Sequence, residues 1–431
     1  MNRILVLGAG VSGLAAARLA ASRGLSVTIF ESNPTSEALG SGFGMASGPW
    51  DHLLLTGVDV VVASPGFSER SLPIVETLES GLPIWSEIEF ASRFISVPMV
   101  AITGTNGKTT VTEATSQMLI ESGLNAPATG NIGDPLSDFA GDPYDALVVE
   151  TSSFQLRFIE SFHPVAAAIT NIAVDHLDWH GSEAAYRDAK RRIYLNQTTD
   201  DLLVFDAEDS GATEIAGGAP GHRFPVSASR LPDGGGGLDD GRLVVGDVSV
   251  DLSLLPKADP THLTNLAMAA ALALWMGAEP SAVARAAIEY RPGSHRREIV
   301  LEAGGVSWID DSKATNPHAA ISSIRGHGSV ILIAGGLAKG TDVGAIAQEP
   351  NLKAVLGIGE AGPQIVDAAG ELGQLAGDLQ RAVDIALSIA EPGDTVLLAP
   401  GCASFDQFSS YEDRGNQFQV MVRKKVMEAR V

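Results

Sequence analysis

The chain has 431 residues, 45% of them hydrophobic and 19% charged, which is typical of a globular protein with two or three domains. Its 52 acidic and 29 basic residues give a net charge of −23, which argues against nucleic acid or an anionic membrane surface as a partner. Cys402 is the single cysteine, so an internal disulfide is excluded and a reducing cytosol is favoured. No apolar run is long enough to predict a membrane span.

The first segment, residues 1–93, begins with a strand, a glycine-rich turn, a helix and a second strand, in "RILVLGAGVSGLAAARLAASRGLSVTIFE". This alternation predicts a parallel sheet. The turn at Gly8, Gly10 and Gly13, followed by Glu31 after the second strand, is compatible with a dinucleotide site. It is equally compatible with another nucleotide or sugar-nucleotide site, or with glycines that only allow close packing of helix and strand.

The second segment, residues 94–292, opens with a strand over Val97–Thr103 and a helix over Thr109–Leu119. Between them lies Gly-Thr-Asn-Gly-Lys-Thr, where backbone N–H groups and the helix N-terminus can face an anion. Lys108 can reach terminal phosphates and the Thr109 hydroxyl can bind magnesium. The strict phosphate-loop pattern has a glycine where this chain has Ile102.

Polar residues follow the next two apolar strands, "DALVVE" and "VAAAIT", at the edge where ligands bind in parallel sheets. Glu150 can hold magnesium or cap the following turn. From the residues alone, His176 is either structural or a ligand, His180 is expected at the surface, and Lys190 is expected to be an exposed or ion-paired residue of a helix. "LPDGGGGLDDG" predicts an exposed turn, and "THLTNLAMAAALALWMGA" predicts a helix with a wide apolar face.

The third segment, residues 293–431, again alternates strands with polar turns and predicts a second small doubly wound domain. One turn carries Asp311, Ser312, Lys313 and Thr315. Lys339 follows the next strand, and Ser404 to Asp406 follow a later one. Lysines at strand ends of an acidic protein favour recognition of a carboxylate or phosphate. Cys402 has no histidine placed as its base, so a packing role is expected.

The motifs "TGTNGKTT", "GNIG", "ETSSFQL", "NIAVDHLDWHG", "YRDAKRRIY", "HRREIV", "WIDDSKATNP" and "CASFDQFSSYEDRG" occur in order over nearly the whole chain. In this combination the sequence resembles the Mur ligases, whose phosphate loop has the same variant at Ile102. The resemblance implies an α/β protein of three domains. These are a Rossmann-like domain for the UDP-sugar (1–93), a central P-loop-type ATPase domain (94–292) and a Rossmann-like C-terminal domain (293–431).

The resemblance also implies a reaction. ATP would phosphorylate the terminal carboxylate of UDP-N-acetylmuramoyl-L-alanine, and the amine of D-glutamate would displace phosphate from the acyl phosphate. The Lys339 turn and "CASFDQF" point to the member of the family that adds D-glutamate. Two magnesium ions are expected, because two anions must be brought together. A cytoplasmic monomer acting in peptidoglycan precursor synthesis is expected.

Site residues carry over from the family position by position. For ATP they are Gly104, Thr105, Asn106, Gly107, Lys108, Thr109, Thr110, Asn265, Arg296 and Asp311. For the metals they are Thr109, Glu150, His176 and Lys190, with Lys190 carbamylated by CO2 into an anion, and Lys108, His176 and Lys190 are the expected catalytic residues. For the UDP-sugar they are Ser12, Glu31, Asn131 and Ser152. For D-glutamate they are Lys313, Thr315, Lys339, Ser404 and Phe405.

Three positions depart from the family pattern: His262 where asparagine is often found, Tyr411 where phenylalanine is common, and Asn33 where a basic residue can occur. Three alternatives remain open at this point. One is another amide ligase with the same ATP core, such as an alanine-, diaminopimelate- or lysine-adding ligase or a folylpolyglutamate synthase. The second is an NAD-dependent oxidoreductase, and the third is a non-catalytic nucleotide-binding switch.

Overall fold

The computed structural model describes residues 1–255 and 259–428. Its strands form three sheets, in agreement with the α/β class and the three sheet-containing regions that the sequence predicts. The chain divides into two compact units. The first comprises Met1–Ile172 and Trp179–Tyr290, and the second comprises Ala173–Asp178 and the chain from Arg291 on. None of the helices in the described ranges is long and apolar enough to cross a membrane.

The first sheet has the order β3-β2-β1-β4-β5 and is parallel throughout. The apolar strands "ILVL" and "VVVA" are buried, as expected for a parallel sheet covered on both faces. Its strands are β1 (Arg3–Leu7), β2 (Ser26–Phe30), β3 (Gly44–Ala46), β4 (Val60–Ala63) and β5 (Ile84–Ser86), and its helices are α1 (Val11–Ser22), α2 (Ser36–Leu39), α3 (Leu72–Glu79) and α4 (Glu87–Ser92).

The second sheet has the order β14-β13-β12-β11-β10-β9-β6-β8-β7. All of its strand pairs are parallel except the two at the β14 edge, β12–β13 and β13–β14, which are antiparallel. The strands are β6 (Met99–Thr103), β7 (Ala128–Gly130), β8 (Leu147–Glu150), β9 (Ala166–Ile169), β10 (Leu202–Asp206), β11 (His222–Ser227), β12 (Gly236–Asp239), β13 (Arg242–Val245) and β14 (Val248–Asp251). The helices of this region are α5 (Lys108–Glu121), α6 (Ser153–Arg157), α7 (Leu177–His180), α8 (Glu183–Arg191), α9 (Ser210–Ala216), α10 (Pro260–Trp275) and α11 (Pro280–Glu289).

The glycine-rich stretch near residue 235 is not only an exposed turn, as the sequence predicted. Gly236 and Gly237 are buried in β12, which pairs with β11 and β13. A Cβ at Gly236 would lie 2.9 Å from a methyl carbon of Val245, so the absence of a side chain is what allows this close pairing. The expected apolar helix is confirmed as α10, most of whose residues are buried against the second sheet.

The third sheet lies in the second unit and has the order β15-β16-β20-β17-β18-β19. Only its edge pair, β15 with β16, is antiparallel. The strands are β15 (Glu298–Ala303), β16 (Val306–Asp310), β17 (Ser329–Gly335), β18 (Leu352–Ile358), β19 (Gly373–Gly377) and β20 (Asp394–Leu398), and the helices are α12 (Pro317–Ile324), α13 (Gly362–Ala369), α14 (Leu379–Ile389) and α15 (Tyr411–Glu428). The boundaries of the three expected domains remain predictions.

One hydrophobic cluster contains residues from both sheets of the first unit. Side chains of α1 and α4, beside the first sheet, share it with β6, β8 and β9 of the second sheet. Glu87 opens α4 beside this cluster and is buried, and its Oε1 accepts a hydrogen bond of 2.6 Å from the backbone N–H of Ser137. Burial raises the pKa of the Glu87 carboxyl to about 7.

Replacing Glu87 by glutamine should stabilise the protein above neutral pH. Because the folded-state pKa of Glu87 lies above its ordinary value of 4.5, the folded state binds more protons, and its stability falls as pH rises from about 4.5 to about 7. Glu87→Gln removes this loss, so its free energy of unfolding at pH 8 should exceed that of the parent by about 3 kcal/mol. Urea unfolding at pH 5 and pH 8 measures both values.

The control is Glu79→Gln, which changes an exposed carboxylate at the end of the neighbouring helix α3. Glu79→Gln should leave the difference in the free energy of unfolding between pH 5 and pH 8 the same as in the parent. A Glu87→Gln protein that is no more stable than the parent at pH 8 would show that Glu87 is not held in this high-pKa state.

Candidate active site

The loop between β6 and α5 contains two glycines at positions where any side chain would clash with neighbouring atoms. Gly104 has φ +146°, and a Cβ there would lie 1.8 Å from the Thr170 hydroxyl oxygen. Gly107 is the N-cap of α5 with φ +83°, and its Cβ would lie 2.7 Å from the side-chain oxygen of Asn265 on α10. The loop backbone therefore passes directly against the end of β9 and against α10.

Two residues that follow β9 brace this loop. The backbone N–H of Asn106 donates to Asn171 Oδ1 at 2.9 Å. In return, Thr170 Oγ1 and Asn171 Nδ2 donate to the carbonyl oxygen of Asn106 at 2.5 and 3.0 Å. The loop shape is therefore fixed by the protein itself, so a ligand need not order it.

Lys108, the first residue of α5, folds back over the loop. Its Nζ donates to the carbonyl oxygens of Gly104 and Thr105 at 3.1 and 3.0 Å. Thr109 and Thr110 follow in the first turn of the helix, Thr109 half-buried and Thr110 buried. The ammonium group and the positive end of the helix thus face the same loop, as in a phosphate site.

Glu150 ends β8, the neighbour of β6, and its backbone pairs with Ile102. Its side chain is 3% exposed. Oε1 accepts a hydrogen bond of 2.8 Å from Asn131 Nδ2, whereas Oε2 has no hydrogen-bond partner in residues 1–255 and 259–428. A buried carboxylate oxygen without a partner is unfavourable unless a cation meets it, so this residue fits a magnesium ligand.

Lys190 approaches the same loop from α8. It is 2% exposed, so of the two expected environments, exposed or ion-paired, the exposed one is wrong. Its Nζ donates to the carbonyl oxygen of Gly104 at 2.6 Å and lies 4.7 Å from the ring centre of Tyr186. The Tyr186 hydroxyl in turn lies 2.9 Å from Thr105 Oγ1. Lys190 is buried because it contacts the phosphate loop. The sequence pattern of α8 alone gives no indication of this contact.

The prediction that His180 lies at the surface is also wrong. His180 is 7% exposed, and its Nε2 lies 2.9 Å from the hydroxyl oxygen of Ser153. Its ring stacks on Phe154 with 5.5 Å between the ring centres. Because both partners belong to α6, His180 ties α7 to that helix.

His176 belongs to the second unit, within Ala173–Asp178. It has φ +52°, and its backbone N–H donates to Asp175 Oδ1 at 2.8 Å. Asp175 is buried, and its Oδ2 accepts a hydrogen bond of 3.2 Å from Asn316 Nδ2, the N-cap residue of α12. The backbone around His176 is therefore fixed by contacts within its own unit.

In the second unit, the residues predicted to bind D-glutamate lie in the turns after β16, β17 and β20. These three strands are neighbours in the sheet. Lys313 places its Nζ 3.7 Å from the ring centre of Tyr411, a cation–π contact. Lys339 has φ +51°. Ser404 is buried, whereas Phe405 is 70% exposed. Thr315 is half-buried in the turn of Lys313.

Asp311 and Arg296 lie on the β15–β16 side of that edge. Burial raises the pKa of the Asp311 carboxyl, which the neighbouring Arg297 partly offsets. Asp311 Oδ1 accepts a hydrogen bond of 3.2 Å from the backbone N–H of Arg297. Arg296 is half-buried beside this pair. Cys402 is buried in the same unit, which raises the pKa of its thiol to about 12 and agrees with the predicted packing role.

In the first sheet, the turn after β1 is closely packed. Gly8 has φ +101°, and a Cβ at Gly13 would lie 2.0 Å from the Gly8 carbonyl oxygen. Glu31 accepts a hydrogen bond of 3.3 Å from the backbone N–H of Ala9. Ser12 is half-buried at the start of α1. Ser152 is buried as the N-cap of α6, where it forms a capping box with Gln155.

Comparison with known proteins identifies the family. The MurD-like N-terminal domain of Mur ligases matches residues 2–86, the Mur ligase middle domain 102–228, and the Mur ligase glutamate ligase domain 295–402. A UDP-N-acetylmuramoylalanine--D-glutamate ligase of Frankia casuarinae is 39% identical over an alignment of 450 positions, gaps included, that covers 98% of this chain and 94% of the relative. The relative of the same name in Trichlorobacter lovleyi is 35% identical, over 98% and 99% of the two chains.

The chain belongs to the Mur ligase family. The fold agrees, since the UDP-N-acetylmuramate-alanine ligase MurC of Thermotoga maritima superposes with a TM-score of 0.60 over 98% of this chain and 99% of that one. At 19% sequence identity, that likeness concerns the fold alone. The oxidoreductase alternative loses its support, because the glycine turn at Gly8 lies within the match to a Mur ligase domain.

In this Mur ligase, the first unit brings the phosphate loop, Glu150, Asn131 and Lys190 to one edge of the second sheet. Sequence reasoning missed Thr170 and Asn171, which hold the loop in shape. A signal was available, because both follow directly after the apolar run "AAAI" at the carboxyl end of a parallel strand. Tyr186, which contacts both Thr105 and Lys190, carries no such signal in its own helix.

Proposed function

We propose that this chain adds D-glutamate to UDP-N-acetylmuramoyl-L-alanine in an ATP-dependent ligase reaction of peptidoglycan precursor synthesis. The observation that carries the proposal is the similarity over nearly the full length to relatives named UDP-N-acetylmuramoylalanine--D-glutamate ligase, at 35% to 39% identity. The substrate carboxylate would take the γ-phosphoryl group of ATP with release of ADP. The D-glutamate amine would then form the amide bond and release phosphate.

The proposed ATP site is the loop of residues 104–110. The backbone N–H groups and the α5 N-terminus would bind the phosphates, and Lys108 would exchange the carbonyl oxygens of Gly104 and Thr105 for phosphate oxygens. Asn265 lies beside Gly107 of this loop and is the proposed adenine contact. In the second unit, Arg296 and Asp311 are the proposed ATP-contacting residues.

Thr109 and Glu150 would hold one magnesium ion, and His176 with Lys190 a second. Bound magnesium would neutralise phosphate and carboxylate charge. Because an ammonium group cannot bind a cation, Lys190 would serve as its carbamate, formed with CO2. Two observations support these assignments: Glu150 Oε2 has no hydrogen-bond partner within the described part of the chain, and Lys190 is buried beside Gly104.

D-Glutamate is a dicarboxylate, and two lysines of the second unit suit it. Lys313 and Lys339 would pair with its carboxylates, with Thr315, Ser404 and Phe405 beside them. Ser12 and Glu31 of the first sheet, with Asn131 and Ser152 of the second, would bind the UDP-sugar. We further propose that the enzyme works in the cytoplasm as a monomer, with domains over 1–93, 94–292 and 293–431.

Phosphate release with ATP, Mg²⁺ and UDP-N-acetylmuramoyl-L-alanine tests the function. D-Glutamate, L-glutamate, L-alanine, L-lysine and meso-diaminopimelate are each offered in a separate reaction. We expect release with D-glutamate only, and a product heavier by one glutamyl unit. Release with another amino acid would retain the ATP chemistry and refute the assigned substrate. Release with none of them would refute the proposed ligase activity.

A further inference from the structure

Arg414, on the first turns of α15, is a buried cation that the proposed mechanism does not use. Its side chain is 0% exposed, and burial lowers its pKa to about 10, so it stays charged at neutral pH. The guanidinium donates to three neutral oxygens. Nε donates to Ser312 Oγ at 2.9 Å, Nη2 to the Ser312 carbonyl oxygen at 2.9 Å, and both Nη atoms to the Cys402 carbonyl oxygen at 3.2 Å.

These acceptors lie on two different turns at the carboxyl edge of the third sheet. Ser312 is in the turn after β16, directly before Lys313, and Cys402 is in the turn after β20, two residues before Ser404. The turn that follows β17 is joined to them, because Leu337 and Ala403 exchange backbone hydrogen bonds of 2.9 and 3.0 Å. One guanidinium thus links the turn that bears Lys313 to the turn that bears Ser404 and Phe405, and the backbone pair of Leu337 and Ala403 joins the turn of Lys339 to the latter.

Arg414 is also linked to the orientation of Lys313. The Ser312 hydroxyl, which accepts from Arg414, donates to the carbonyl oxygen of Tyr411 at 2.8 Å. The centre of the Tyr411 ring in turn lies 3.7 Å from Lys313 Nζ. A change at Arg414 would therefore alter both the turn of Lys313 and the ring against which its ammonium group rests.

The neighbouring residues proposed to contact ATP have bonds of their own, besides the one that the backbone N–H of Ser312 donates to Asp310 Oδ1 at 2.9 Å. The backbone N–H of Asp311 donates to the Leu398 carbonyl oxygen at 2.8 Å, and its carboxylate accepts from Arg297. Next to Arg296, the side chains of His295, Glu298 and Asp310 form a cluster. The side-chain amide of Gln419 donates to Asp310 at 2.9 Å and to Glu298 at 3.1 Å. None of these bonds is made by the Arg414 guanidinium itself.

We propose that Arg414 is a positioning residue for the amino-acid substrate: by bridging Ser312 and Cys402, it sets the spacing of the side chains that bind D-glutamate. This inference rests on the proposed function, and it assigns to Arg414 an effect on D-glutamate binding and not on ATP binding. A guanidinium is suited to this role because its planar fork reaches several acceptors at once, which an ammonium cannot do.

The test replaces Arg414 by lysine, which keeps the charge and loses the fork. We expect Arg414→Lys to raise the KM for D-glutamate about tenfold, as for a lost charged hydrogen bond, with the KM for ATP and for UDP-N-acetylmuramoyl-L-alanine within about twofold of the parent. Arg381→Lys, the same change at an exposed position on α14, is the matched control and should leave all three KM values unchanged.

A merely structural role would raise all three KM values together or leave them all unchanged, and either result would overturn the proposal. Should Arg414→Lys fail to fold, Ser312→Ala decides, because it removes only the hydroxyl between Arg414 and Tyr411. It should raise the KM for D-glutamate alone, by roughly threefold, and an unchanged value would overturn the proposal. A parent enzyme without D-glutamate-dependent phosphate release would instead refute the proposed function itself.

Discussion

Replacing Lys190 by alanine is expected to lower the turnover number about a thousandfold, on the scale of losing an electrostatic group at the reacting centre. Lys190 is buried, and its Nζ donates to the carbonyl oxygen of Gly104, the first residue of the phosphate loop. If it acts as a carbamate, its removal deletes an anionic metal ligand, whereas the loop keeps its hydrogen bonds to Thr170 and Asn171. Steady-state phosphate release measures the loss, and ATP binding should persist.

Short carboxylates such as formate or acetate should restore part of the activity of Lys190→Ala, because they supply an anion in the space that the side chain leaves. Lys424→Ala, at an exposed position of α15, is the control and should need no rescue. Full activity of Lys190→Ala without any added carboxylate would refute the assigned role. A loss that carboxylates cannot reverse would argue against the carbamate and leave the lysine itself as the required group.

Replacing Glu150 by glutamine should separate activity from stability. The change keeps the shape and the acceptor for Asn131 but removes the negative charge, so the turnover number should fall about a hundredfold and the Mg²⁺ concentration for half-maximal rate should rise. In the protein without metal, the melting temperature should not fall, since Glu150 Oε2 is buried without a partner in the described residues. Magnesium titrations of the rate and thermal unfolding measure the two effects.

Glu214→Gln provides the matched control, because it alters an exposed glutamate of α9 that forms an ion pair with Arg187. It should change neither the rate nor its magnesium dependence. A Glu150→Gln enzyme with the parental magnesium dependence would exclude Glu150 as a metal ligand. A marked fall in its melting temperature would indicate that the carboxylate stabilises the fold.

The phosphate loop could be predicted from the sequence because its signals are local. An apolar strand, glycines and a helix start follow one another within about twenty residues, and β6 and α5 formed within two residues of the predicted bounds. The burial of His180 could not be predicted in this way, since it depends on Ser153 and Phe154, more than twenty-five residues away in the sequence.

Arg414 shows the same limit more strongly. Its partner Ser312 lies 102 residues earlier in the chain, and the motif around it gives no sign that the guanidinium is buried. The strand β12 was missed for a related reason. Consecutive glycines have little strand preference of their own, and Gly236 and Gly237 are held in the sheet by pairing with β11 and β13. Contacts between distant segments therefore decided the points that sequence patterns left out.

The burial of Cys402 has a practical consequence for following this enzyme in solution. Cys402 is buried, and burial raises the pKa of its thiol to about 12, so very little of the thiolate with which maleimides react is present at pH 7. The native protein should therefore remain unlabelled under conditions that modify a surface cysteine completely. Cysteines introduced at exposed positions such as Glu79 and Arg381, one in each compact unit, would accept a fluorophore pair without removal of the native thiol. Energy transfer between them would report the distance between the units during turnover.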